Sequence, residues 1–263
     1  MKPFFISTPI YYPNDVPHIG HAYSSCIADT LARYQRVTRG ERVTSEASVK
    51  FTTGVDENSQ KIVQKAAELD RDIYEFLDEM AVSHQRTWDT LGVEYTDFVR
   101  TISGHPLKIA EHHTLFVQYV LQKAFEKGDI YEGMYEGDYC IGCESFKKPS
   151  DLVNGQCPLH PNGKIQHLKE KNYFFRLSRY ESALKELYKN NPSFVQPDHR
   201  FAEVKAFVEA GLEDFSISRE SNTFGIPLPF DPTQVTYVWF DALYNYVSYA
   251  LPRDKDGRCT DQR

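Results

Sequence analysis

Phe4-Phe5-Ile6-Ser7-Thr8-Pro9-Ile10-Tyr11-Tyr12, followed by Pro17-His18-Ile19-Gly20-His21, is the stretch whose reading decides the fold. Phe4 to Ser7 is a short apolar run closed by Thr8-Pro9, the pattern of a buried strand. Pro9 to Pro17 carries three prolines with Asn14 and Asp15, so it reads as a loop. From Ile19 to Thr38, Ala22, Cys26, Ile27, Thr30, Leu31 and Tyr34 recur at helical spacing, and Gly40 suits a C-terminal stop. Strand, loop and helix in that order are how an α/β nucleotide-binding half begins.

A second such step follows. Val49 to Thr53 reads as a strand, Gly54-Val55-Asp56-Glu57-Asn58 as the turn at its carboxyl end, and Gln60 to Leu69 as a helix. Further helical patterns run from Ile73 to Leu91 and from Leu107 to Lys127. After Gly128 the helical period vanishes, and glycine, tyrosine and cysteine crowd the chain as far as Cys157. Helical patterning returns over Arg179 to Asn190 and Phe201 to Leu212. The run Val235-Thr-Tyr-Val-Trp-Phe is β-rich and precedes a helical stretch from Ala242 to Tyr249. The expectation is one α/β domain interrupted by an insertion, with its sheet resuming near residue 235. Residues 252–263 are polar and aperiodic, the pattern of a disordered tail.

Composition narrows the class. The chain has 263 residues, 41% hydrophobic and 25% charged, which excludes disordered and fibrous classes. A net charge of −7 argues against a general nucleic-acid coat while leaving room for a local basic patch. No apolar run approaches the roughly 20 residues that span a bilayer, and Pro9 interrupts the only apolar stretch near the start. A cytoplasmic location is the resulting expectation.

Three of the five cysteines cluster with a histidine. Cys140-x-x-Cys143 and Cys157-x-x-His160 are two ligand pairs on tight turns, which is what closes a tetrahedral zinc site. Four protein ligands leave no open position, so such a zinc is structural. The alternative is free thiols in a loop. Cys26 falls on the apolar side of the first helix and is expected in the core.

His18-Ile19-Gly20-His21 opens that helix. A helix N-terminus offers unpaired N–H groups and partial positive charge, a natural phosphate site, and Gly20 lets a ligand approach the backbone. Alone, the motif could equally be a surface turn with two solvated imidazoles. In context, Ser7-Thr8-Pro9-Ile10-Tyr11-Tyr12 with His18-Ile19-Gly20-His21-Ala22-Tyr23 resembles the class I aminoacyl-tRNA synthetases, the methionyl branch in particular. Thr53-Gly54-Val55-Asp56-Glu57, Tyr135-x-Gly137-x-Tyr139-Cys140-x-x-Cys143-Glu144 and Cys157-Pro158-x-His160 match that branch, the last two matching its bacterial-type form with one zinc knuckle. So do Asn172 to Leu177, Ser216-Ile217-Ser218-Arg219, Gly225 to Pro229 and Tyr237-Val238-Trp239-Phe240-Asp241-Ala242. The resemblance covers residues 3 to 249.

What the resemblance implies is as follows. The fold is a Rossmann-like parallel sheet over 1–114 and 223–251, interrupted over 115–222 by a connective-peptide domain that carries the zinc knuckle. The activity is Mg2+-ATP-dependent activation of methionine to methionyl-adenylate and transfer to the acceptor end of tRNA(Met). His18 and His21 are the catalytic pair and hold ATP with Gly20. Asp56 binds the substrate ammonium, and Ile10, Tyr12, Trp239, Ala242 and Tyr246 form the methionine pocket. From pattern alone, Asp56 could be a surface-turn carboxylate and the two aromatics Trp239 and Tyr246 plain core.

The chain departs from the family in three ways. None of Met1, Met80 and Met134 is followed by Ser-Lys, so the second signature, Lys-Met-Ser-Lys-Ser, is absent along with the helical anticodon-binding domain. The chain thus resembles an amino-terminal catalytic portion, and a non-catalytic module that keeps methionine, ATP or tRNA binding is the alternative. Arg42 to Ser48 reads as extra residues, and Asn58 stands where the family has histidine.

Overall fold

The computed structural model describes residues 2–42, 48–143, 145–147, 149–220 and 224–252. The Arg42–Ser48 stretch and the 252–263 tail therefore lie largely outside the described residues.

A three-stranded parallel sheet, ordered β1–β2–β3, carries the amino-terminal part. It comprises β1 (Phe4–Ser7), β2 (Val49–Gly54) and β3 (Asp97–Val99), with Phe4 opposite Val49 and Thr52 opposite Asp97. α1 (Ile19–Arg39) follows β1, and Gly40 ends it in the left-handed region, its N–H closing on Arg36 and Val37 carbonyls. α2 (Gln60–Glu68) and α3 (Ile73–Leu91) follow β2, each capped by a side chain: Ser59 accepts from Lys61 N, and Asp72 from Tyr74 N and Glu75 N. The expected α/β architecture with a parallel sheet is present. β3 was not anticipated, because three residues carry too little periodicity.

The face of α1 turned to the sheet differs from the expected stripe. Ser25, Ala28, Asp29, Ala32 and Arg36 are buried, whereas Cys26 is exposed and Ile27, Leu31 and Tyr34 are 45%, 48% and 63% exposed. Cys26 is thus not a core residue. Small Ala28 and Ala32 let the helix approach Val49, Phe51 and Trp88 closely. The segment after α3 gives each charged member a backbone partner: Asp29 accepts from Glu94 N at 3.0 Å, and Arg36 donates to Glu94 O at 3.1 Å. Hydrophobicity alone misplaces this face because its polar members find backbone partners.

α4 (Glu111–Glu126) begins four residues later than Leu107, after Lys108 and Ala110 adopt positive φ. Beyond it stands an antiparallel sheet ordered β5–β4–β6–β7, built from β4 (Ile130–Cys140), β5 (Ser145–Lys147), β6 (Ile165–Phe175) and β7 (Phe215–Ser216). β4 and β6 pair over their whole length, Ile130 opposite Phe175 and Cys140 opposite Ile165. Exposed cross-strand pairs flank the ladder, Glu132–Lys171 at 2.7 Å and Glu136–Lys169 at 2.8 Å. α5 (Glu181–Asn190) and α6 (Asp198–Glu209) pack as a helical pair between β6 and β7.

Near the end, β8 (Ser218–Arg219) and β9 (Val235–Thr236) form a two-stranded antiparallel ribbon. Among the described residues the parallel sheet does not resume, contrary to expectation. The β-rich run breaks at Tyr237, and Val238–Ala242 is a short helix, α7, followed by α8 (Asn245–Ser248). The helix wins because it turns Val238, Asp241 and Ala242 inward while Trp239 faces a cavity.

Candidate functional site

The carboxyl ends of β1 and β2 meet, as the ligand crevice of an open α/β sheet requires. Thr8 N donates to Thr52 O at 3.1 Å, and Thr8 Oγ1 donates to Thr53 Oγ1 at 2.7 Å. Tyr11 N donates to Gly54 O at 3.0 Å, and Asp56 N to Tyr11 O at 2.9 Å. This stitching fixes the loop after β1 against the turn after β2. A cavity of about 500 Å3 opens there. Its walls include Ile10, Tyr12, His18, His21, Asp56, Trp239, Ala242 and Tyr246. The structure therefore brings every residue proposed from the sequence for this site together except Gly20, which is exposed in the first turn of α1.

His18 is the N-cap of α1. Its Nδ1 accepts from Gly20 N at 3.0 Å, and Nδ1 of His21 accepts from His18 N at 3.2 Å. Both Nδ1 atoms are acceptors in this hydrogen-bond network, which assigns the neutral-ring proton of each to Nε2. Each imidazole thus keeps an Nε2–H donor. Burial, then the neighbouring His18 and His84, hold the His21 pKa below 6.5. A Cβ at position 20 would lie 2.9 Å from the His18 ring, so a larger residue there would displace that imidazole.

His84 was not singled out from the sequence. It is fully buried, its Nδ1 lies 2.9 Å from Met80 O, and its ring stacks against Tyr11 at 6.5 Å between centroids. A histidine on an otherwise ordinary amphipathic helix gives no signal of its own.

Aromatic side chains line the same cavity. Tyr12 and Trp239 meet edge to face, with centroids 6.3 Å apart. Burial pushes the Tyr246 hydroxyl above its ordinary range, so it stays neutral.

The turn that carries Asp56 is polar and buried. Asp56, Glu57, Asn58 and Ser59 are all buried. Glu57 accepts from Thr101 N at 3.1 Å, Ile102 N at 3.2 Å and Arg100 Nε at 2.6 Å. Burial pushes its carboxyl up, against the pull of Arg100 and those amides. Asn58 Nδ2 donates to Thr101 O at 2.8 Å and to Asp241 Oδ2 at 3.2 Å. Asp241 was also missed as a site residue; its signal is a carboxylate inside the apolar run Val238-Trp239-Phe240-Asp241-Ala242.

A second cluster lies at the tip of β4. The ligand atoms of Cys140, Cys143, Cys157 and His160 all lie within 4.8 Å of one another. Cys143 Sγ is 3.5 Å from Cys157 Sγ and 3.3 Å from His160 Nδ1. A tetrahedral ion bound at about 2.3 Å per thiolate needs ligand separations of about 3.7 Å, so this donor set fits a metal ion. Burial resists ionisation of Cys157, but hydrogen bonds from His160 and Cys143 bring its thiol to about 6. Gly142 is obligatory at the tip, since a Cβ would sit 2.4 Å from the His160 ring.

A family model described as tRNA synthetases class I (M) matches residues 4–164 and 148–258. The chain belongs to this class I tRNA synthetase family. Within the family it is similar to a methionine–tRNA ligase of Synechocystis, 43% identical over 98% of this chain and 46% of that protein. It is also similar to a chloroplastic/mitochondrial methionine–tRNA ligase of Arabidopsis thaliana, 41% identical over 95% of this chain and 38% of that protein. Among solved structures, Mycobacterium tuberculosis methionyl-tRNA synthetase in complex with methionyl-adenylate matches with a TM-score of 0.85 and 35% identity. That match covers 97% of this chain and 48% of the solved one. The free-state structure of the same enzyme matches with a TM-score of 0.73. This class I synthetase chain thus spans about half the length of the relatives it matches. Among its described residues no helix is long and apolar enough to cross a membrane.

Proposed function

We propose that the chain forms the methionine- and ATP-binding part of a methionine–tRNA ligase, the part that makes methionyl-adenylate. The observation that carries this reading is the single cavity in which a carboxylate, an aromatic wall and the start of α1 face one another. Those three surfaces suit the three parts of a methionyl-adenylate. Asp56 takes the ammonium as a charge-assisted partner. Ile10, Tyr12, Trp239, Ala242 and Tyr246 surround the thioether, whose soft sulfur favours aromatic edges. His18 and His21, through their Nε2–H groups at the positive end of α1, take the α-phosphate.

In the reaction a methionine carboxylate oxygen attacks the α-phosphorus of ATP, brought in with Mg2+. The bond to the β-phosphate bridging oxygen breaks, and pyrophosphate leaves. No covalent enzyme intermediate forms. The Nε2–H groups of His18 and His21 donate to the phosphate as its charge grows, and holding both reactants supplies the rest of the rate.

Residues 115–222 are the connective insertion, and its knuckle holds one zinc through Cys140, Cys143, Cys157 and His160. That zinc would tie the tip of β4 to the turn at Cys157, stiffening the surface that meets the tRNA acceptor end.

The test is methionine-dependent ATP–pyrophosphate exchange, alongside calorimetric titration of the chain with methionine. Exchange that His18→Ala/His21→Ala abolishes supports the whole reading. Methionine binding without exchange leaves the chain the binding role alone. A chain that does neither would refute the assignment.

A further inference from the structure

The helical pair α5–α6 forms a second cavity, which shares no residue with the one at the sheet's carboxyl edge. Its volume is about 490 Å3, enough for a small organic ligand. α5 lends Lys185 and Lys189, one turn apart on one face, and α6 lends Lys205. Glu209 is the one carboxylate among the lining residues. Three cations around one space repel one another, and an anion placed among them turns that repulsion into attraction.

The lysines are not equally committed. Lys185 donates to Glu181 at 2.5 Å, and Glu181 also accepts from Leu212 N at 3.0 Å. That carboxylate ties α5 to the segment after α6 and sets the spacing of the two helices at this end. Lys205 lies 3.7 Å from Glu209, a loose exposed pair one turn apart on the same helix. Such pairs hold little energy, so Lys205 is readily recruited by a ligand. Lys189 pairs with no carboxylate among the described residues. Lys189 from α5 and Lys205 from α6 are therefore available to the same anion. A phosphate monoester suits them, with close to two negative charges near neutral pH and three acceptor oxygens.

The remaining lining is apolar and aromatic. Tyr188 and Phe201 meet edge to face there, with centroids 5.7 Å apart and planes at 89°. Phe194 lies 6.2 Å from Tyr188 and is 61% exposed. Val208 is buried in the same lining. Inorganic phosphate has no use for these rings. A ligand that joins a phosphate to a planar ring uses both halves of the cleft, because aromatic faces accept a base of any identity.

We propose that the α5–α6 cleft is a nucleotide site, separate from the cavity at the sheet: Lys189 and Lys205 hold a phosphate, and the base lies on Tyr188 beside Phe201. The site stands independently of the function assigned to the other cavity. Binding makes and breaks no covalent bond. The same phosphate-plus-base chemistry is offered by a free nucleotide and by the end of an RNA strand.

The experiment is calorimetric titration of the chain at pH 7.5 and low ionic strength with uridine 5′-monophosphate, inorganic phosphate and uridine in turn. A pyrimidine keeps the readout apart from ATP. The monophosphate should bind about tenfold or more tightly than either phosphate or uridine. Lys189→Gln/Lys205→Gln removes two charges from exposed positions. It should weaken the monophosphate by about tenfold or more with Tm unchanged. Tyr188→Leu should bring the monophosphate down to the affinity of phosphate while phosphate itself binds as before, which shows the cleft still open. His18→Ala/His21→Ala should bind the monophosphate like the unaltered chain. Three results would each overturn the proposal: a monophosphate held no tighter than phosphate, affinity unchanged in Lys189→Gln/Lys205→Gln, or binding abolished by His18→Ala/His21→Ala, which would place the ligand in the other cavity. If Tyr188→Leu disturbs the helical pair, the lysine variant decides alone. Hexauridylate separates the two sources. Tighter binding than the monophosphate, with a steeper salt dependence, makes the occupant a strand, and equal affinity makes it a free nucleotide.

Discussion

The imidazoles of His18 and His21 lie stacked, with ring centroids 3.7 Å apart and planes 19° from parallel. The His18 ring accepts from Gly20 N and the His21 ring from His18 N, so the pair serves both as a cap for α1 and as a donor surface for an anion. The two roles separate by mutation. His18→Ala removes the cap and is expected to cost about 1 kcal/mol, a fall in Tm of about 2–4 °C. His18→Asn restores a capping side chain and should recover that Tm while ATP binding stays impaired. A His18→Asn chain that binds ATP as well as the unaltered one would show that the imidazole acts only as a cap.

The tip of β4 gives the second prediction. One zinc per chain should co-purify, and Cys143→Ser should lose most of it, since Cys143 Sγ faces both Cys157 and His160. Gly142→Ala should act in the same direction without touching a ligand, because its Cβ would push the His160 ring away. Metal analysis after gel filtration decides. Full zinc in Cys143→Ser would remove that residue from the ligand set.

How much of this was legible from residues depends on range. The metal cluster was readable because each pair of donors lies within one tight turn, where spacing is geometry. The strand–loop–helix order was readable because Phe4 to Ser7 and the loop prolines are strong local signals. The buried face of α1 was not, since Asp29 and Arg36 are buried only by virtue of the backbone around Glu94. β6 was invisible for a related reason: Gln166-His167-Leu168-Lys169-Glu170-Lys171 is polar, and its strand exists because β4 pairs with it residue by residue. At Val238–Ala242 β-propensity pointed the wrong way, because the helix turns Val238, Asp241 and Ala242 inward together. The cavity itself needs residues 10 and 246 side by side, which no local pattern encodes.

The corrected position of Cys26 is directly checkable. Cys26 is exposed, whereas Cys140 and Cys157 are buried. In the folded, metal-loaded chain, Cys26 should react rapidly with a thiol reagent and the knuckle cysteines slowly. Chelation of the metal should then release the knuckle thiols. Made in a Cys259→Ser background, Cys26→Ser should delete the fast phase with no measurable change in Tm. A slow Cys26, or a large loss of stability in Cys26→Ser, would return it to the core.

The last prediction concerns acid. His113 on α4 is fully buried, with Nδ1 2.9 Å from Ser248 Oγ on α8, so it ties α4 to the helix beside the cavity. Burial, then the neighbouring His112, lower its pKa from 6.5 to about 3. The folded state therefore keeps His113 neutral where the unfolded chain takes up a proton. Stability from this group is complete above pH 6.5 and is lost as pH falls from there toward 3, at a limiting rate of about 1.4 kcal/mol per pH unit. His84 and His21, also lowered chiefly by burial, add to the loss in the same direction. Chemical denaturation at pH 7.5 and pH 5 should show the chain weakened at the lower pH by about 2 kcal/mol from His113 alone. His113→Asn keeps a polar group for Ser248 and does not titrate. It should start from a lower stability at pH 7.5 and lose less on going to pH 5, so the two curves converge. If His113→Asn loses as much stability over that interval as the unaltered chain, His113 is not the group that makes this part of the fold sensitive to acid.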